Sequence, residues 1–264
     1  MNVFAHEIRS GARSLATWSL SLAGFASLYM LLYGAIRNDI QVFEDVLKQL
    51  PPAAQAALGV VFGTLDTVTG FYSFVFAYIV LCGAIQAVNL GVAAIGRETG
   101  GKTADFLLSK PVGRTSILAQ KALAILVQLV LTNAVYLAVT IPVALSQQSD
   151  ADLGQFALLS ATLFFVQVVF AALGLLFGTV VEKVKSVVAV SLPAVFGFFV
   201  VGMLGAIIGE DKIRYVTPFK WFDAAYILKN GTYETGFAIL AACVAVVAVA
   251  ASFLAFARKD IHAQ

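Results

Sequence analysis

The sequence predicts an all-α integral membrane protein with six transmembrane helices and both termini in the cytoplasm. Three observations carry that prediction. Of 264 residues, 60% are hydrophobic and 12% are charged, against about 45–50% and about 25% in soluble domains, and mean hydropathy is +0.91. The apolar residues gather into six runs, each long enough at ~1.5 Å per residue to cross ~30 Å of hydrocarbon. Finally, Lys and Arg are shared unevenly between the segments that join those runs.

The runs are Leu15–Ile36, Gly70–Ile95, Ala122–Ser146, Phe156–Val181, Ser186–Gly209 and Gly236–Ala257, within a single membrane domain over 1–264. Each must be helical or shielded by helices, because lipid offers backbone N–H and C=O groups no partner. The segment ahead of the first run carries His6, Glu7, Arg9 and Arg13. That run is too long for a signal-peptide core and no clear small-residue cleavage site follows, so the segment is read as retained. With the N-terminus inside, the inner segments hold Arg9, Arg13, Arg97, Lys102, Lys110, Arg114, Lys121, Lys183, Lys185, Arg258 and Lys259, 11 of the 17 basic residues. Ten of the 15 acidic residues fall outside. Orientation follows Lys and Arg alone, and both their total and the contrast between short loops place the two ends in the cytoplasm of a cell membrane.

Three connecting segments exceed a minimal turn. Asn38–Thr69 is outside and contains the amphipathic stretch Val42–Leu50, stopped by Pro51-Pro52, which predicts a surface helix on the outer leaflet. Glu210–Thr235, also outside, mixes Tyr215, Phe219, Trp221, Phe222 and Tyr226 with Lys220, Asp223 and Lys229, a mixture suited to the headgroup region. The third, Arg97–Lys121, faces the cytoplasm.

Composition also excludes functions. A net charge of +2 with no basic, aromatic-interleaved face argues against nucleic acid. Cys82 and Cys243 sit in apolar runs, where a thiol packs like a small hydrophobe, so neither a disulfide nor a metal site is expected. The only histidines, His6 and His262, lie near the termini, and no Ser–His or carboxylate pair can form in the bilayer. No ionisable residue lies in the middle of a run, Arg37 and Asp66 being near the outer boundary. Pumps that work without a motor usually keep such groups at membrane depth, so an external energy source is expected. Gln86, Asn89, Gln128, Thr132, Asn133 and Gln167 are read as interhelical hydrogen-bonding residues rather than ligands. Gly174/Gly178 and Gly205/Gly209 have the spacing that lets helices approach, and Pro193 with Gly197 would bend the fifth run.

Gly96-Arg97-Glu98-Thr99-Gly100-Gly101-Lys102-Thr103 formally satisfies the phosphate-loop pattern. A true phosphate loop follows a buried strand and opens a helix, whereas this one follows a membrane span. We therefore read Gly100-Gly101 as the end of the second helix and a turn. Thr103–Pro111 then predicts a short amphipathic helix, with Thr103 as cap, Phe106, Leu107 and Leu108 apolar, and an end before Pro111. Its apolar side needs cover from headgroups, from the protein's own helices, or from a partner's groove.

The stretch Glu98–Leu118, with Lys121 opening the next span, resembles the loop after the second span in ABC-2 type transporter permeases. The resemblance covers nearly the whole chain. It takes in the amphipathic N-terminal segment, six spans with both ends inside, and the outer segment Thr217-Pro218-Phe219-Lys220-Trp221-Phe222-Asp223. It implies that the cytoplasmic loop docks into a separate ATP-binding subunit, which would hold ATP and magnesium while this chain binds no cofactor. Two permease halves would pair with two ATPases and usually export. Carried over residue by residue, Glu98, Thr103, Asp105, Phe106, Leu107, Leu108 and Arg114 would transmit motion, with Phe106 or a neighbouring Leu as the apolar anchor. Asn2–Ser14 would lie along the inner leaflet, and the fifth span would line the pathway with Phe196, Phe198 and Phe199 nearby, suiting an apolar or amphipathic substrate. The Gly100-Gly101 pair departs from simple expectation and would make the loop ahead of the docking helix more mobile. The alternatives are a motor-independent transporter or channel, which needs a membrane-depth ion site, and a non-transport scaffold, for which the same helix would only dock.

Overall fold

Apolar runs of this length, with no water to satisfy their backbones, fold as helices in the computed structural model. It describes residues 3–51, 54–55, 58–100, 113–181, 184, 186–209 and 211–258, apart from the side chains of 97–100, 114, 211 and 258. The helices are α1 Val3–Ile36, α2 Ile40–Lys48, α3 Val68–Gly100, α4 Arg114–Gln147, α5 Leu153–Val180, α6 Val187–Ile208, α7 Ala224–Asn230 and α8 Thr235–Arg258. There is no strand among the described residues. Six helices, α1, α3, α4, α5, α6 and α8, are long and apolar enough to cross a membrane, so this is a multi-pass membrane protein. They match the six runs: α1, α3, α4 and α8 overrun theirs, α3 starting at Val68 and α4 at Arg114, α5 starts earlier and ends one residue short, and α6 falls one residue short at each end. The predicted outer surface helix is α2, with Ile40 and Leu47 buried and Val42 and Val46 exposed.

The centre of the bundle is the parallel pair α3 and α5, whose spans are 72% and 61% buried, against 17% for α6 and 22% for α8. Glycines bring this pair together. A Cβ on Gly91 would stand 2.5 Å from the Ala171 carbonyl oxygen and the Leu175 nitrogen, and one on Gly174 would stand 2.7 Å from the Val88 carbonyl oxygen. In lipid there is little hydrophobic drive between helices, so such close backbone packing supplies the attraction. The Gly174/Gly178 spacing therefore does what the sequence suggests. The Gly205/Gly209 spacing does not: Gly205 faces the Ile213 side chain, and Gly209 is the left-handed cap of α6, with φ +73°.

α1 and α4 run side by side and parallel. The Phe4 N–H donates to Gln120 Oε1 (3.4 Å), Lys121 Nζ meets Glu7 Oε1 at 2.7 Å, and at the far end Arg37 donates to the Gln147 carbonyl (3.5 Å). This corrects the start of the first span, predicted at Leu15: from Val3 onward the preceding segment is the first part of one continuous helix. The reason is local: Lys121 is only 4% exposed, and a buried ammonium needs a hydrogen-bonded anion, which Glu7 supplies.

At the opposite end, Val68 N–H donates to Gln148 Oε1 (2.9 Å), the Tyr33 hydroxyl to the Asp66 carbonyl (2.5 Å), and Gln155 to the Leu228 carbonyl (2.7 Å). These bonds gather segments 37–67, 148–152 and 209–234 at one pole. The last of them holds a second correction. Thr217 donates to the Phe198 carbonyl (2.8 Å), ten residues before Ile208 and so ~15 Å back along α6. The Phe219 ring lies 4.9 Å from that of Phe170. Phe219 and Phe222 thus pack inside the bundle with Trp221, which is 3% exposed, instead of resting among headgroups; only Tyr215 and Tyr226 of that group stay exposed. Irregular backbone survives at such depth when protein satisfies it. Here Arg214 Nε donates to the Lys220 carbonyl (2.9 Å) and Trp221 Nε1 to the Tyr215 carbonyl (3.3 Å).

Candidate functional site

Of the residues expected to couple to a motor, two are described, at the pole that also holds the N-terminal end of α1. Glu98 lies in the last turn of α3 and Arg114 opens α4, both described by backbone alone, while Thr103, Asp105, Phe106, Leu107 and Leu108 lie outside the described residues. What is described is their frame. The inner end of α3 packs at Gly96 against Val184, 3.0 Å from an added Cβ, and the start of α4 is tied to α1 by Glu7 and Lys121. Residues 96–100 are helical, so the first five positions of the phosphate-loop pattern are the end of a span, where a nucleotide site would need an open loop.

Deeper in the bundle, amides bridge three helices. Gln86 Nε2 donates to Thr132 Oγ1 (3.0 Å), Gln167 Nε2 to Gln86 Oε1 (3.0 Å), and Asn133 Nδ2 to Gln167 Oε1 (2.6 Å) and the Leu129 carbonyl (2.8 Å). Towards the outer pole the hydroxyls of Tyr72 and Tyr136 bond to each other, and Tyr72 meets Ser160 at 3.2 Å. Ser191 donates to Asn89 (2.6 Å), adding α6. Gln86, Asn89, Thr132, Asn133 and Gln167 make the interhelical bonds the sequence suggested, while Tyr72, Tyr136, Ser160 and Ser191 add partners it did not single out; Gln128 differs, its amide oxygen standing 2.7 Å from a Cβ built on Gly11 of α1. Gln167→Leu strips a partner from both Gln86 and Asn133. We expect it to lower stability by ~1–3 kcal/mol. Thermal unfolding of the purified protein checks this, and a Gln86→Leu/Gln167→Leu double variant is expected to lose less than the sum of the singles.

The opposite pole holds a cavity of ≈ 420 Å³, within the ~300–1,000 Å³ usual for small-molecule sites. Its walls come from α3 (Phe76, Tyr78), α6 (Phe199, Met203), the segment after α2 (Val60, Val61, Phe62) and the returning segment (Phe219, Lys220, Phe222, Asp223). Phe199, expected beside a pathway, lines it; Phe198 packs edge-on against Phe170 and Phe196 is exposed. Tyr233 closes one flank, stacking edge-on with Phe165 and Phe222. Burial pushes its phenol up, so it keeps the proton it donates to the Leu158 carbonyl (2.5 Å). Scanning the runs for ionisable groups misses Lys220 and Asp223, because a loop carries them inward. The readable signal was the density of aromatics in Thr217–Asp223, too apolar for an ordinary loop.

A family model described as ABC-2 family transporter protein matches residues 1–261. No curated protein gives a significant match.

Proposed function

Because the chain belongs to the ABC-2 family of transporter proteins, we propose that it is the membrane-spanning permease subunit of an ABC exporter in the cell membrane, driven by ATP hydrolysis in a separate subunit. The observation that carries this reading is the family match across 1–261. Both termini and segment 101–112 face the cytoplasm, as the Lys and Arg distribution supports. Glu98, Thr103, Asp105, Phe106, Leu107, Leu108 and Arg114 form the surface that an ABC-type ATP-binding subunit grips, and that subunit holds ATP and magnesium. A second copy of this chain or a related permease completes the transporter; the exposed apolar face of α6, including Phe196, Val200 and Leu204, faces that copy or lipid.

The geometry supports a route for the motion. Force at 101–112 loads the inner ends of α3 and α4. α3 carries α5 with it, because their backbones touch at Gly91 and Gly174, and α4 carries α1 through Glu7 and Lys121. α6, the least buried span, is the element against which this block can shift, and the outer cavity lies between α3 and α6.

Co-purification with an ABC-type ATPase tests the reading, together with vanadate-sensitive transport by the reconstituted pair and labelling of a single cysteine at Ser109 by an impermeant maleimide in inverted vesicles only. ATP hydrolysis by the isolated chain, or labelling of Ser109→Cys from the cell exterior, overturns it. Transport that persists without any ATPase points instead to a motor-independent transporter, and stable ATPase binding without transport points to a scaffold.

A further inference from the structure

We propose that the outer cavity binds an anionic amphiphile, with an alkyl chain against its aromatic wall and a carboxylate or phosphate on the Lys220 ammonium. The proposal deepens the permease reading and rests on it for the sense of calling such a molecule a substrate.

The polar groups around the cavity decide the ligand class. Gln55 spends its amide on the Lys48 and Leu50 carbonyls (3.0 and 2.8 Å), and Ser73 spends its hydroxyl on the Gly70 carbonyl (2.7 Å). Asp223, the other charged group in the lining, is turned to the start of α7, where it accepts from the N–H groups of Ala225 (2.7 Å) and Tyr226 (3.2 Å). Thr162 Oγ1, on a residue 2% exposed, shares the Tyr233 hydroxyl, which itself donates to the Leu158 carbonyl. The Tyr78 hydroxyl, on a residue 37% exposed, and the Lys220 ammonium are left. Lys220 makes no side-chain hydrogen bond or ion pair among the described residues, whereas the neighbouring Arg214 is fully engaged, with Glu234 at 2.6 Å and the Phe237 ring at 3.9 Å.

The stem of Lys220 is also deep. Its Cγ lies 3.6 Å from a Cβ built on Gly202, six residues before the end of α6 and so ~9 Å inside it. An ammonium carried on so buried a stem, with no anion against it among the described residues, gains a charge-assisted hydrogen bond from an anionic ligand. The remaining lining is aromatic and aliphatic, which an inorganic anion cannot use and an alkyl chain can. Tyr78 and Met203, each 37% exposed, connect the cavity with the outer surface of the bundle where α3 and α6 meet, a path open to a molecule already dissolved in the bilayer.

The test uses the full chain carrying Trp18→Phe, which leaves Trp221 as the sole tryptophan, beside Lys220, in nanodiscs of phosphatidylcholine. Dodecyl phosphate, dodecanoate, dodecyltrimethylammonium and inorganic phosphate are titrated against Trp221 emission. Saturable changes are expected for the first two alone. Lys220→Gln is expected to weaken dodecyl phosphate about tenfold or more, while Lys220→Arg stays within about threefold. Equal affinity in Lys220→Gln, equal binding of the ammonium amphiphile, competition by inorganic phosphate alone at similar concentration, or no saturable response each overturns the proposal. No nucleotide or ATPase is present, so its failure leaves the coupling reading standing, and failure of ATPase association leaves this result intact.

Discussion

Leucine in place of Gly174 is expected to abolish recovery of folded protein. The Cβ alone would lie 2.7 Å from the Val88 carbonyl oxygen and 2.9 Å from the Val88 Cα; backbone atoms of a packed helix cannot swing aside like the end of a side chain. The α3–α5 pair must then separate along its whole contact, at a cost of ~3 kcal/mol or more. Gly91→Leu should behave alike, since its Cβ would meet backbone at 2.5 Å. Gly178→Ala, at 3.1 Å from the Val92 carbonyl oxygen, should lower the melting temperature modestly. The control is Gly24→Leu, a position with nothing within 4 Å, which adds the same hydrophobicity without the collision. Size-exclusion profiles of detergent extracts separate the cases, and a monodisperse, normally melting Gly174→Leu protein would show that this crossing does not organise the bundle.

Phe106→Asp and Leu107→Asp are expected to leave the chain folded and membrane-inserted but to lower vanadate-sensitive transport at least tenfold. Both residues sit in a segment whose apolar side needs cover. A carboxylate placed in a partner's apolar groove loses the anchor's contact and must itself be desolvated, and apolar anchors at interface centres typically carry ~2 kcal/mol or more, about thirtyfold in association. Phe106→Leu should keep most of the activity. Pull-down of the ATPase with each variant reads the interface directly; undiminished association with both aspartates would move the docking surface away from these residues.

Much of the fold was legible because lipid leaves so little choice. A run such as Phe156–Val181 has to be a helix, and buried amides such as Gln86 and Gln167 have to find one another or the backbone. Their pairing was not legible, since it depends on which helix faces carry them, 81 residues apart. The continuity of α1 escaped for the same reason: the charged residues before Leu15 look like a surface segment until Glu7 meets Lys121, 114 residues on. The inward fold of Thr217–Trp221 escaped because it is too short and too charged to register as a span, and its burial is won by Phe170, Phe199 and Phe165. Of the two candidate sites, the coupling segment is proposed from a contiguous motif, most of which lies outside the described residues. The outer cavity was not legible, being assembled from α3, α6 and two loops that no local pattern connects.

α3 is 33 residues long, ~50 Å from end to end, and its tight crossing with α5 is far from its midpoint. From Gly91 the inner arm to Gly100 measures ~14 Å and the outer arm to Val68 ~35 Å. For a rigid α3–α5 block pivoting at that level, a displacement of ~1 Å at the Gly100 tip swings the Val68 tip by ~2.5 Å. Phe76 and Tyr78 ride on the long arm, so a small displacement at the Gly100 end is magnified where the wall of the cavity stands.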